Sequence, residues 1–403
     1  MTAPLSENLA RFRKARNLSQ EELAVAASVG VDTVGRIERG ERSTTRPSTI
    51  VKLARALGVS ADSLLGLPVL SRTAQHHQVA ELRHAITASA DIPGLDDFTD
   101  TDEVADITTL STTAHRAWRA YVDGRHTELM HTLPILLVDA RRLVHASTGD
   151  QKAAAHCLLS TSYRLGAGMA GRLDLDDLAW TSAERALNAA RHSDAVEMET
   201  AISLRYLVWT LVRQGRVADA EHVAAKAAEQ IEPRMLDRDP NRAGIFGNLI
   251  FNAASAALRS GSTGRAEDLL AVAQSAAVRA GQDTASESAI FGPRVAAFQV
   301  VDLAMRLGDP ETALHLATQV PEARGTVPAF WESGHRLHLA HAAAQLRRDQ
   351  LSLRYLTEAR DLAPDWAAAQ PLGATTMRLL LDRATRRRGA AFAALAAHYG
   401  IAP

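Results

Sequence analysis

The sequence predicts an all-α protein in which a small N-terminal domain of short helices is followed by a long stack of helical repeats. Three observations support this fold class. Residues 18–40 hold two short helix patterns separated by three residues, apolar residues after Asp102 recur at helical spacings of three and four, and one turn pattern recurs along that second part. With 403 residues, 46% of them hydrophobic, the chain is long enough for two or more domains.

Two closely spaced helices are predicted near the N-terminus. Ser19 followed by Glu22 is an S-x-x-E capping box, which opens a helix that we expect over 20–27. A second helix, expected over 31–39, ends before Gly40, a residue that favours a helix stop. Two helices joined this tightly are typical of the helix-turn-helix unit, whose second helix lies in the DNA major groove.

The second of these helices has an apolar side and an exposed side. Val34 and Ile37 face the first helix, so the outer side presents Val31, Asp32, Thr33 and Arg36 to base edges. Arg36 is the main candidate for base reading, because arginine to guanine is the commonest specific contact. Asp32 either accepts a hydrogen bond from cytosine N4 or only complements the helix dipole, and the residues leave both open.

Four more side chains are candidates for phosphate contacts. Gln20 lies at the positive end of its helix, where it and the nearby N–H groups can bind a phosphate. Arg39 reaches either a base or a phosphate, and Arg42 and Arg46 follow in a polar loop. Residues 1–70 hold ten Lys and Arg against seven Asp and Glu, although the whole chain has a net charge of −1. A mildly basic N-terminal part suits a phosphate-binding module.

This stretch resembles the lambda-repressor/Cro-like (XRE-type) DNA-binding domain over residues 5–67. The residues that carry the resemblance are Ser19-Gln20, Ile37 to Gly40, Arg46-Pro47 and the run from Leu53 to Ser60. The resemblance implies that Arg13 pairs with Glu38 and ties the first helix to the recognition helix. Two positions depart from the family, since Ser28 replaces its usual turn glycine and Gly30 its usual serine cap, which leaves that helix without a side-chain acceptor.

The other N-terminal elements follow from caps and turn residues. Leu9 and Phe12 face inward from the first helix. The helices are expected at 5–16, from Pro47, from Ser60 to near Pro68 and from Ser71 to Ser89, before a turn-rich loop at 91–100. The predicted organisation is a DNA-binding domain at 1–68, a linker helix and loop at 69–101, and a repeat domain at 102–403.

The repeat domain is predicted to be helical throughout. Its recurring pattern is a helix, a Gly or Asp turn, and a second helix with a small residue in its first turn. The turns are Leu173-Asp174, Gln214-Gly215, Ser260-Gly261, Leu307-Gly308 and, degenerately, Arg347-Arg348, followed by Ala179, Ala220, Ala266, Ala313 and Leu353. Helices at 102–122 and 125–147 begin the stack, and helices at 365–386 and 389–400 close it. The pattern resembles a tetratricopeptide-like α-solenoid with longer helices.

The combination resembles bacterial XRE-type regulators with a tetratricopeptide-like sensor, a class that includes the peptide-pheromone receptors of Gram-positive bacteria. The resemblance implies a signal ligand in the concave groove and dimerisation through the solenoid. The candidate groove residues are Thr161, Arg164, Arg205, Trp209, Asn248, Phe251, Ser255, Phe298, Asp302, His335 and His338. Arginine suits a carboxylate and asparagine a peptide backbone, whereas Phe251 and Phe298 fit a core between layers equally well.

Other functional classes are disfavoured. The single cysteine, Cys157, fits a reducing cytoplasm, and no signal peptide or membrane span is expected. Gly166 to Gly171 matches G-x-G-x-x-G but follows a helix, so close helix packing is the favoured interpretation. The histidines at 335, 338 and 341 have no Cys or carboxylate partner at metal-ligand spacing, so we expect no metal and no cofactor.

The sequence therefore predicts a dimeric, cytoplasmic, ligand-responsive transcription regulator that binds a near-palindromic site on double-stranded DNA and is not an enzyme. Its ligand is expected to be a short peptide or a small molecule, and no membrane partner is expected. The alternative is an interaction protein whose repeats are regulated by a protein partner, with DNA contact secondary.

Overall fold

The structure is a computed structural model. It describes residues 5–41, 45, 47–57, 59, 64–65, 73–88, 105–234, 239–287, 289–383 and 389–401. Within these residues the all-α prediction is confirmed except for one short two-stranded hairpin. Of the expected fifth helix from Ser60 to near Pro68, only residues 64–65 are described, and they are helical; the loop at 91–100 lies outside the described residues.

The chain forms two compact units. The first unit consists of residues 1–75 together with 336–403, and the second unit consists of residues 76–335. These units do not follow the expected boundaries at 68 and 101, because the last helices group with the N-terminal residues rather than with the rest of the repeats. We call described residues 5–65 the head and the second unit the repeat unit.

The helices up to the hairpin are α1 Leu5–Ala15, α2 Gln20–Ala27, α3 Val31–Glu38, α4 Pro47–Ala56, α5 Thr73–Thr87, α6 Ile107–Val122, α7 His126–Ala146, α8 Gly149–Arg172, α9 Asp176–Ala190, α10 Val196–Arg213, α11 Val217–Ile231, α12 Pro240–Arg259 and α13 Thr263–Ala280. The strands β1 Thr284–Ala285 and β2 Ile290–Phe291 follow, and then α14 Pro293–Arg306, α15 Pro310–Ala317, α16 Ala329–Gln345, α17 Asp349–Leu362, α18 Pro364–Ala368, α19 Pro371–Asp382 and α20 Ala390–His398.

The head is built around one apolar core. Leu9 and Phe12 of α1 are buried as predicted, and Leu23, Val34 and Ile37 pack in the same cluster. Burial of a large apolar side chain contributes about 1.5–3 kcal/mol each. This core fixes α2 and α3 against α1, so one side of α3 is committed to packing and the other remains free to present its side chains.

The last helices of the first unit form a second cluster that includes Ala15 of α1. Helix α1 contacts both α19 and α20 there, and the Tyr399 hydroxyl donates to the Leu356 carbonyl at 2.6 Å. The helix predicted over 365–386 is wrong, because α18 ends at Ala368 and a new helix begins at Pro371. Proline restricts the residue before it and lacks the N–H that a continuous helix needs.

The repeat turns fall where the sequence predicts them. Asp174, Gly215, Gly261, Gly308 and Arg347 all have positive φ, between 58° and 84°. At each, the next residue donates its N–H to the carbonyl five residues earlier, the arrangement that closes a helix in a Schellman motif.

The small residue of each following helix lies five positions after the turn residue. Ala179, Ala220, Ala266 and Ala313 are fully buried at this position. In the degenerate repeat the equivalent residue is Ser352 and not Leu353, so that prediction was wrong by one position. The Ser352 hydroxyl donates to the Ala340 carbonyl at 2.8 Å, which lets a polar residue occupy the buried site.

The first helices of successive pairs in the repeat unit also contact one another. Helix α8 contacts α6 and α10, and α10 contacts α12, so these helices form a continuous layer. The glycines of the G-x-G-x-x-G stretch lie in α8, and a Cβ at Gly168 would stand 2.6 Å from the Tyr121 hydroxyl. Tight helix packing therefore accounts for this motif, as predicted.

The hairpin is the element that the sequence did not predict. Thr284 pairs with Phe291 and Ala285 with Ile290 in antiparallel register. Phe291 is fully buried, and the Trp118 indole donates to the Ala285 carbonyl at 3.3 Å. The inserted strands are too short for a periodic signal, and contacts with residues far away in the sequence hold them in place.

Candidate functional site

The turn between α2 and α3 is fixed by local contacts. The Ser19 hydroxyl accepts from the Glu22 N–H at 3.1 Å and the Glu22 carboxylate accepts from the Ser19 N–H at 2.7 Å, so the predicted capping box is confirmed. Ser28 adopts φ 51°, the left-handed conformation that favours glycine, at a cost of about 1–2 kcal/mol. Gly30 precedes α3 without a side-chain cap.

Helix α3 separates buried and exposed residues along its length. Val34, Gly35 and Ile37 are buried, whereas Val31 is 42% exposed and the Asp32 side chain 79% exposed. Arg36 is exposed and Thr33 half-buried. An exposed valine at the start of a helix is free to contact a base methyl group, and the charged residues beside it are free to hydrogen-bond.

A partly buried ion pair anchors α3 to α1. Arg13 donates through Nε to Glu38 Oε1 at 2.6 Å and through Nη2 to Oε2 at 2.9 Å, which confirms the pair that the family resemblance implied. The Gln20 amide also donates to Glu38 Oε2, at 2.7 Å. The side chain of Gln20 therefore helps to orient α3, while the N–H groups at the start of α2 remain the part of this end suited to a phosphate.

The arginines on the exposed side of α3 and just after it face carboxylates close to them in sequence. Arg36 Nη1 lies 3.8 Å from Asp32 Oδ2, and Arg39 donates to both oxygens of Glu41, at 2.6 and 3.1 Å. The hydrogen bond from Arg39 lowers the pKa of Glu41, and Glu41 raises the pKa of Arg39. Arg42 and Arg46, the other predicted phosphate contacts, lie outside the described residues.

The repeat unit holds most of the predicted ligand residues, and several are buried. Arg164 is 2% exposed, donates to Glu199 at 2.5 Å and to the Thr161 hydroxyl at 2.6 Å. Phe298 is buried and stacks on His335 with ring centroids 4.3 Å apart. These contacts favour the packing interpretation for Phe298 over direct ligand contact.

Arg205 and Asn248 lie together on neighbouring helices of the layer. Arg205 Nη1 donates to Asn248 Oδ1 at 3.1 Å, and Asn248 Nδ2 donates to the Ile290 carbonyl at 2.6 Å. The amide of Asn248 thus binds the backbone of an extended segment, which is the contact predicted for a peptide ligand, but here the segment is the chain's own hairpin.

The remaining predicted residues are more accessible. Trp209 and Phe251 are half-buried, and Phe251 meets Trp331 edge to face with centroids 6.1 Å apart. Asp302 accepts from Arg306 at 2.8 Å. Ser255 is half-buried on α12, and His338 is half-buried on α16 within the first unit.

Sequence reasoning missed a second group of residues in the repeat unit. The guanidinium of Arg172 lies over the rings of Tyr121 and Phe330, 4.1 and 4.3 Å from their centroids. Its Nη1 lies 3.0 Å from His126 Nε2, so that ring nitrogen must accept the hydrogen bond. Arg172 lies eight residues after Arg164 and so shares its helix face, a signal that could have found it.

Burial dominates the electrostatics of this group. Desolvation, helped by the charge of Arg172, lowers the pKa of His126 to about 3. Desolvation raises the pKa of Tyr206 to about 12, although the charges of Arg205, Arg164 and Arg172 oppose that change. At neutral pH, His126 is therefore uncharged and Tyr206 keeps its proton.

Within the described ranges, no three or more His, Cys, Asp and Glu side chains come together as metal ligands would. The described helices also include none with the length and apolar character needed to cross a bilayer.

Comparison with known proteins identifies the N-terminal helices. A family model described as Helix-turn-helix matches residues 9–64. The control protein C.SmaI of Serratia marcescens is 43% identical over 61 residues, which are 15% of this chain and 71% of that protein. The HTH-type transcriptional repressor RghR of Bacillus subtilis is 37% identical over 59 residues, 15% of this chain and 44% of that protein.

Other similarities extend the comparison. The uncharacterized HTH-type transcriptional regulator RghRB of Bacillus subtilis is 38% identical over 63 residues, 16% of this chain and 45% of that protein, so the chain spans less than half of the two Bacillus proteins. The structure of Bacillus thuringiensis PlcR with the peptide PapR7 and DNA is similar at a TM-score of 0.30 and 10% identity, over 89% of this chain and 93% of that one. The apo form of the competence regulator ComR from Streptococcus vestibularis is similar at a TM-score of 0.30 and 13% identity. That similarity covers 89% of this chain and 97% of the ComR chain.

Proposed function

We propose that this chain, which belongs to the helix-turn-helix family, is a transcription regulator that reads DNA with the outer side of α3. The observation that carries the proposal is the division of α3 into two sides. Val34 and Ile37 hold the helix in the head core, while Val31, Asp32 and Arg36 are exposed together on a helix of the size that enters a major groove. Family membership favours binding over catalysis as its mode of action.

The exposed carboxylates would help this surface to distinguish one DNA sequence from another. Asp32 and Glu41 face the arginines that would contact DNA, and both carboxylates repel phosphates. Arg36 must leave Asp32 to bind a guanine, so the pair favours sites at which that exchange gives two good hydrogen bonds. Arg39, which is paired with Glu41, would instead contact a phosphate of the DNA backbone.

Two bound heads would form a dimer on a near-palindromic site, with helices in successive major grooves about one turn apart. A signal ligand, either a short peptide or a small molecule, would bind the layer of first helices in the repeat unit and change DNA affinity by favouring one arrangement of the protein. Asn248 supports this part of the proposal, because its amide already holds an extended backbone. The proposed site of action is the cytoplasm.

Selection from random duplex DNA tests the proposal. The purified 403-residue chain should enrich two half-sites with centres about one helical turn apart, and binding to the enriched sequence should weaken steeply as salt increases. The proposal would be contradicted if no sequence were enriched over random duplex DNA. Binding to DNA only in the presence of a co-purified protein would favour the alternative of an interaction protein regulated by that partner.

A further inference from the structure

We infer that Arg205, with Tyr206 and Arg172, forms a binding site for a carboxylate group within the repeat unit. The inference rests on the proposed function for its regulatory meaning, because it specifies the chemistry of the proposed signal ligand. The binding itself is a property of the repeat unit that can be measured without DNA.

The first observation is that Arg205 carries unused donors in a buried place. The residue is 9% exposed, and among the described residues neither Nε nor Nη2 has a hydrogen-bond partner. Nη1 donates to Asn248 Oδ1, and the guanidinium lies 4.4 Å from the ring centroid of Tyr206. Arg205 is therefore a buried positive group with two open donors.

The equivalent arginine of the preceding repeat shows what such a residue needs. Arg164 is also buried, but Glu199 accepts from it at 2.5 Å and compensates its charge. Arg205 has an amide oxygen in place of that carboxylate. Buried charges are normally paired, so a carboxylate at the open donors of Arg205 would complete the arrangement that Arg164 already has.

The second observation is that a neighbouring polar group is also unpartnered. Tyr206 is 4% exposed, and its hydroxyl has no hydrogen-bond partner among the described residues. Burial keeps the pKa of this phenol near 12, so the hydroxyl remains a donor at neutral pH. Arg205 and Tyr206 are therefore both hydrogen-bond donors without acceptors, which suits an anionic ligand.

Arg172 adds a second positive charge and an aromatic wall. Its Nη1 donates to the neutral His126, and its charge is close enough to Tyr206 to lower the pKa of that hydroxyl. Tyr121 and Phe330 flank its guanidinium. Arg172 is half-buried, so part of this residue is exposed to solvent. The arrangement fits a carboxylate attached to an apolar or aromatic group.

Such a carboxylate is found at the C-terminus of a peptide and in an organic acid. Two pairs of probes separate these sources: hydrocinnamate with its neutral amide, and leucyl-phenylalanine with its C-terminal amide. Isothermal titration calorimetry of the full chain at neutral pH measures all four. We expect the acid to bind at least about tenfold more tightly than the amide in one pair or both, and the pair with the tighter acid identifies the source.

Three variants test the residues. Arg205→Gln can still donate to Asn248 but lacks the charge, so it should bind acid and amide equally. Tyr206→Phe removes only the unpartnered hydroxyl and should weaken acid binding severalfold while the fold, measured by circular dichroism, is unchanged. Arg216→Gln, which removes an exposed arginine paired with Asp219, is the matched control and should bind the acid as the unmodified chain does.

Equal binding of acid and amide in both pairs, or no binding of either acid at millimolar concentration, would overturn the inference. So would an acid preference that survives both Arg205→Gln and Tyr206→Phe. These outcomes are independent of DNA binding: a chain that selects no DNA sequence but prefers the acid contradicts only the regulator proposal, and the reverse contradicts only the carboxylate site.

Discussion

The head and the repeat unit position their candidate functional residues in opposite ways. In the head, Asp32 and Arg36 are exposed on a short helix whose other side packs in the head core. In the repeat unit, Arg164 and Arg205 are buried, and their partners lie 35 and 43 residues away. The exposed residues of the head suit contact with a large partner such as DNA. The buried polar groups of the repeat unit suit a small ligand.

Removal of a buried charge partner should have the largest effect. Arg164→Ala leaves Glu199, whose side chain is only 12% exposed, without its arginine, so we expect the repeat unit to lose about 3–5 kcal/mol in the free energy of unfolding, measured by urea denaturation. Arg242→Ala, which removes the arginine from a pair whose Glu197 side chain is 57% exposed, is the control and should cost at most about 1 kcal/mol. Equal losses in the two variants would mean that burial does not determine how much an ion pair contributes to stability.

The hairpin gives a second test of the repeat unit. A Cβ at Gly247 would overlap the Phe291 ring, so Gly247→Ala should destabilise the chain by about 1–3 kcal/mol and loosen the strand that Asn248 holds. Gly264→Ala is the matched control, because a Cβ there has no atom within 4 Å and alanine favours a helix. It should be neutral or stabilising when both variants are compared by urea denaturation. A hairpin that tolerates Gly247→Ala without loss is not packed as described.

A smaller effect is expected from pH. The pKa of His126 is about 3 in the folded chain and about 6.5 when unfolded, so below pH 6.5 the unfolded chain binds more protons and folding stability decreases as pH falls toward 3. One unit below 6.5, the His126 contribution amounts to about 1 kcal/mol. His126→Gln keeps a neutral acceptor for Arg172 and should be less sensitive to acid over this range. Identical pH profiles for the two proteins would mean that His126 titrates normally.

The same contrast explains what the sequence could and could not predict. The capping box, the end of α3 before Gly40 and the left-handed repeat turns depend on neighbours in sequence, and all were predicted. The hairpin was missed because Trp118 and Asn248, far away in the chain, hold it. The Arg172 site was missed for the same reason, since Tyr121 and Phe330 come from opposite ends of the repeat unit.

The side-chain partners of the predicted residues were also beyond local reasoning. Helical spacing placed Arg164 and Arg205 at equivalent positions but gave no sign that Glu199 pairs with the first and Asn248 with the second. The helix break before Pro371 is different. A proline is a local signal for a helix start, and the prediction of one helix over 365–386 did not take it into account.

The central claim, that the outer side of α3 reads DNA, is tested most directly by repeating the selection from random DNA with Arg36→Ala. Arg55→Ala is the control, since it removes the same charge from an exposed position of α4. We expect Arg36→Ala to lose discrimination at one position in each half-site, by about 1–3 kcal/mol, while Arg55→Ala keeps the full preference. An unchanged preference in Arg36→Ala, or the same loss in both variants, would contradict the claim.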